Sequence, residues 1–156
     1  VWNVGRLIDG AKILDVAIAA TEQYPNGLGK TFAAIASRLP EPLPNKVAFS
    51  CGACGSVFAD WEGRGIGRVL ICGVETHVCV EQTALDVLAA GYRVYIAVDA
   101  VGTRFSIDHE IALRRMESSG AVLTTTEAVL FEWCEKAGTP EFKEISALVK
   151  ETGPTA

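Results

Sequence analysis

The stretch "RVLICGVETHVCVEQTALDVLAAGYRVYIAVDAV", Arg68–Val101, decides the fold. Arg68–Val74 is dominated by an unbroken apolar run, as expected of a strand covered on both faces. Tyr92–Val101 reads the same way. Between them Val80, Ala84, Val87 and Leu88 fall on one side of a helix, and Thr76 stands where a side chain can cap its first turn. Strand, helix and strand in succession make the crossover unit of a parallel sheet.

The alternation continues on both sides. Upstream, Val4–Leu14 predicts a helix with Leu7, Ile8, Ala11 and Leu14 on one face, and Val16–Ala20 a short buried strand. "TEQYPNGLGKT" (Thr21–Thr31) reads as a loop, and Phe32–Leu39 as a helix stopped by "PEPLPN". "KVAFS" (Lys46–Ser50) reads as a strand, and Ser56–Glu62 as a short helix. Downstream, Ser106–Ser119 is helical, with Asp108 and Glu110 early and Arg114 and Arg115 late, matching the helix dipole. "AVLTT" (Ala121–Thr125) is a strand, followed by helices over about 127–137 and 140–150. The expected architecture is one α/β domain over residues 1–156, a three-layer sandwich whose mainly parallel, Rossmann-like sheet is flanked by helices.

With 49% hydrophobic residues the chain can bury a substantial core, and its net charge of −5 disfavours a nucleic-acid or membrane-surface role. No apolar stretch approaches the ~18 residues that span a bilayer. Five cysteines (Cys51, Cys54, Cys72, Cys79 and Cys134) are an odd number in a chain too large to need staples. They favour reduced thiols in a cytoplasmic setting.

Cys79 lies one strand-to-helix turn past Val74. Ligands of open parallel sheets bind beyond the carboxyl ends of the strands, and a helix N-terminus lowers a thiol's pKa. From position alone Cys79 is a small packed hydrophobe, a metal ligand, half of a redox pair or a nucleophile. Cys72 and Cys134 read as packing.

"GVETHVCV" (Gly73–Val80) resembles the Gly-x-x-Thr-x-x-Cys-Val signature of the isochorismatase-like cysteine hydrolases, the superfamily of nicotinamidase and N-carbamoylsarcosine amidohydrolase. "KVAFS" is similar to that family's strand bearing a catalytic lysine. "YRVYIAVDAV" with "HEIALRRMESSGAVLTTTEAVL" resembles its next strand, helix and strand. "TEQYPNGLGKT" and "PEFKEISALVKE" look closest to isochorismatase domain-containing proteins of unassigned substrate. The resemblance implies an acid–lysine–cysteine triad, with Cys79 as nucleophile and Lys46 beside it. It also implies an oxyanion hole from the backbone N–H groups of Glu75 and Cys79, with a cis peptide between Val74 and Glu75. The expected reaction is cleavage of an amide-type C–N bond of a small molecule through a thioester, by a homo-oligomer.

Two departures qualify that expectation. The triad acid of the family ends the first strand in an Asp-x-Gln context, and this chain opens at the following helix with Val1. Its only methionine is Met116. The native product is therefore expected to extend about 20–35 residues upstream, enough for a strand and its connection. Asp9 and Asp15 are no replacement, and Asp99 reads as structural. Second, Glu22 and Tyr24 stand where nicotinamidase-type members carry a metal-binding Asp-x-His, so neither metal nor other cofactor is expected. Gln23, Tyr24 and Phe49 are candidate substrate-pocket walls. The rival readings are a non-catalytic binding protein on the same scaffold, and a redox or zinc site built on "CGAC" (Cys51–Cys54).

Overall fold

A computed structural model describes residues 1–153. Helix α1 (Trp2–Ile13) comes first, followed by the short strand β1 (Glu22–Gln23) and the one-turn helices α2 (Pro25–Leu28) and α3 (Ala33–Ala36). Strand β2 (Asn45–Lys46), a 3₁₀ turn at Cys51–Ala53 and α4 (Gly55–Gly63) lead into β3 (Arg68–Val74). A π-helical turn (Thr76–Val80) runs into α5 (Glu81–Ala89), then β4 (Arg93–Gly102), α6 (Ser106–Ser118), β5 (Val122–Thr124), α7 (Thr126–Cys134) and α8 (Pro140–Val149).

Every strand pairing is parallel, and the described strands form two sheets, β1–β2 and β3–β4–β5. β4 is central to the larger one and lies between two layers of helices. Val94 and Ile96 join Val80, Ala84 and Val87 from the π turn and α5, with Ala112 and Met116 from α6. Ala97 and Ala100 pack with Leu7 of α1 and Val129 of α7. Apolar side chains serve both faces, which is why β4 is apolar without a break from Val94 to Val98. A third cluster, Leu130, Ile145 and Leu148, fixes α8 on α7.

Several elements differ from the sequence-based expectation. Val16–Ala20 forms no strand. The Val16 N–H closes the end of α1 on Ala11 O at 2.8 Å, and the run has no ladder partner. The strand falls instead at Glu22–Gln23, inside the expected loop, beside Asn45–Lys46. The helix expected over Phe32–Leu39 shrinks to one turn, because Phe32, Ala33 and Ala34 face solvent and bury nothing. β3 is only half-buried over Val69–Gly73, since it pairs with β4 on one side alone.

Candidate active site

β1, β2 and β3 deliver Gln23, Lys46 and the Glu75–Cys79 turn to one place. The Lys46 side chain is only 6% exposed. Its ammonium donates to Gln23 Oε1 at 2.6 Å, Phe49 O at 2.5 Å and Ala48 O at 3.2 Å. Three donors therefore meet three neutral oxygens, and among the described residues no carboxylate pairs with it. This explains why "KVAFS" stops being a strand after Lys46: the next carbonyls turn inward to the ammonium rather than joining a ladder. Gln23 is fixed in turn by donating Nε2 to Val47 O at 2.7 Å.

The Cys79 thiol also meets Gln23 Oε1, at 3.7 Å. A single carboxamide oxygen thus bridges the buried ammonium and the half-buried thiol. Burial pushes the Cys72 thiol up to about 11, which leaves it neutral and unreactive near pH 7. Desolvation also raises Cys54, with the charge of Cys51 adding to the effect and the Lys46 ammonium opposing it.

The peptide bond from Val74 to Glu75 is cis. The Glu75 carbonyl then accepts from Val78 N–H at 3.1 Å and Val80 N–H at 3.2 Å, opening the π turn that carries Cys79. Thr76 is no helix cap. Its hydroxyl lies fully buried against His109 Nδ1 at 3.0 Å. His77 Nδ1 meets Thr103 Oγ1 at 3.0 Å, and Glu75 pairs with Arg104 at 2.9 Å. Three consecutive side chains after the cis bond are therefore tied to the segment Thr103–His109. Sequence reasoning missed this clamp. Its only signal was that both histidines of the chain fall within these two segments.

Tyr24 and Phe49 directly follow Gln23 and the lysine-holding carbonyl of Ala48, with rings half in solvent at 51% and 50% exposure. The Tyr24 ring leans back over α2, where a Cβ on Gly27 would strike it. Asp99 Oδ1 accepts from Thr126 N–H and Oγ1, and Oδ2 from Asn3, so its carboxylate joins β4 to α7 and α1. Asp9 pairs with Arg38 at 3.1 Å. No three His, Cys, Asp or Glu side chains converge as a metal site among the described residues. The zinc reading of Cys51 and Cys54 therefore finds no ligand set there.

The Isochorismatase domain family matches residues 1–128. The chain belongs to the isochorismatase family. It is 39% identical over 150 residues to isochorismatase domain-containing protein 2A of Mus musculus, covering 96% of this chain and 71% of that protein. Among solved structures, the MAR1 ribonuclease of Caenorhabditis elegans superposes with a TM-score of 0.88 at 38% identity, over 99% of this chain and 80% of that one. The nicotinamidase/pyrazinamidase of Bacillus subtilis shares 28% identity and a TM-score of 0.51, over 53% of this chain and 45% of that one. The family thus includes amidohydrolases such as nicotinamidase. No helix among the described residues is long and apolar enough to cross a membrane.

Proposed function

We propose that this isochorismatase-family protein is a cysteine hydrolase that cleaves an amide-type C–N bond of a small molecule. The observation that carries the reading is the Gln23 carboxamide oxygen shared by the Lys46 ammonium and the Cys79 thiol. The shared oxygen sets a buried cation within two hydrogen bonds of the nucleophile's sulfur. Cys79 Sγ attacks the acyl carbonyl, and the N–H groups of Glu75 and Cys79 hold the oxyanion. The amine leaves with a proton, giving a thioester on Cys79. Water cleaves the thioester with help from a base.

In the family resembled, that base is a carboxylate beside the lysine; among the described residues Lys46 meets only neutral oxygens. Tyr24 and Phe49 wall the substrate's place, and the chemistry asks for neither metal nor cofactor. Five free thiols suit a reducing, cytoplasmic setting. The net charge of −5 favours a small substrate over RNA, although a similar structure bears the name ribonuclease.

The test is acyl trapping. With p-nitrophenyl acetate, the protein is expected to gain one acetyl group on Cys79, seen by peptide mass mapping, and Cys79→Ser to gain none. A thioester on another cysteine, or RNA cleavage that survives Cys79→Ser, rejects the reading.

A further inference from the structure

The "CGAC" turn lies beside this site and has no part in the proposed hydrolysis. The Cys54 N–H donates to Cys51 O at 2.8 Å, closing a 3₁₀ turn. A closed turn of that kind holds its first and fourth Cα atoms within about 7 Å, the reach of a disulfide. The two thiols differ. Cys51 is half-exposed and meets the Thr21 hydroxyl at 3.2 Å, while Cys54 is 8% exposed. The turn also follows directly on Ala48 and Phe49, whose carbonyls hold Lys46. It is pinned to α5 by the Cys51 N–H, which donates to Thr83 Oγ1 at 2.9 Å.

We propose that Cys51 and Cys54 form a reversible disulfide under peroxide, and that closing it loosens the grip of this segment on Lys46. The second half rests on the role proposed for Lys46; the first does not. The Cys51 thiolate attacks one peroxide oxygen, breaking the O–O bond, and with a proton this gives water and a sulfenic acid on Cys51. The Cys54 sulfur then attacks Cys51 Sγ, forming the S–S bond. The sulfenic oxygen leaves as water, taking up the Cys54 proton. The dithiol loses two electrons and the peroxide gains them. Closure draws Cys51 Sγ away from Thr21 and retightens the backbone immediately after Phe49.

The test treats the full chain with hydrogen peroxide, blocks remaining thiols with N-ethylmaleimide and maps the peptides. The expected product is a Cys51–Cys54 disulfide reopened by dithiothreitol. Iodoacetamide labelling of Cys79 should slow about tenfold in the oxidised protein, the scale of one lost hydrogen bond to a charged group, and recover on reduction. Cys54→Ser should form no disulfide, leave a dimedone-reactive Cys51 and keep its Cys79 rate after the same treatment. A pair that remains as two free thiols across a series of peroxide concentrations overturns the site. A disulfide that leaves Cys79 labelling unchanged overturns the coupling. If Cys79 is inert in the reduced protein, the hydrolase reading fails, while the disulfide map still decides the switch.

Discussion

Lys46 buries its charge at the end of β2 and, among the described residues, meets only neutral oxygens. Such a group is sensitive to every acceptor it has, because an unmet hydrogen bond to a buried charge costs about 1.5–3 kcal/mol. Gln23→Ala removes one acceptor and should lower stability by roughly that amount in urea unfolding. Lys46→Ala should slow iodoacetamide labelling of Cys79 by about tenfold at neutral pH, since the thiolate loses its cation. Labelling should reach Cys79 before Cys72, whose thiol stays protonated to about 11. Equal rates at the two thiols would reject the assignment. That Lys46 and Cys79 lie near each other was legible through the two motifs that resemble the family's, and the structure sets both on Gln23 Oε1. The bridging role of Gln23 was not, because it depends on β1 pairing with β2, and a two-residue strand leaves no periodicity to read.

At the scale of elements, long regular segments followed their pattern and short ones followed their contacts. β4, α5 and α6 had enough residues for periodicity to show, and each lies where that periodicity put it. Val16–Ala20 carried strand-like residues and made no strand, since apolarity supplies no partner. The Thr103–His109 clamp was illegible for a related reason: its bonds join residues 26 to 33 positions apart. Thr76→Val keeps the volume but leaves His109 Nδ1 without its hydroxyl. It should cost about 1–3 kcal/mol of stability and slow Cys79 labelling, because the π turn loses an anchor. Unchanged labelling would show that the clamp does not position the thiol. On the opposite helical layer, a Cβ at Gly10 would run into the fully buried Leu130 side chain. Gly10→Ala gains about 0.5–1 kcal/mol of helix propensity. Overpacking costs about 1–3 kcal/mol and should win, giving a lower urea midpoint with an unchanged slope.

Across the whole molecule, burial decides which apolar surface is free for assembly. Leu130, Phe131 and Trp133 of α7 are large apolar residues suited either to a subunit contact or to covering their own chain. Leu130 is buried against Ile145 and Leu148, and Trp133 packs beside both the second and third clusters, so these two cover their own chain. Of the three, Phe131 alone is exposed. A larger opening lies at the start of α6, where Phe105 and Ile107 are 59% and 62% exposed and Ile111 stands one turn further on. Ile107 and Ile111 are four residues apart and share a helix face, and exposed apolar groups in such proximity mark association surfaces. The expected state is therefore a homo-oligomer that buries this face against a second copy. Light scattering at micromolar concentration should give a multiple of the 16.6 kDa chain mass. Ile107→Lys should return the protein to a monomer whose urea midpoint no longer rises with protein concentration, because association stabilises only the folded state. A monomeric wild-type chain would reject the oligomer. An oligomer indifferent to Ile107→Lys would move the interface off α6, with Phe131 the next position to substitute.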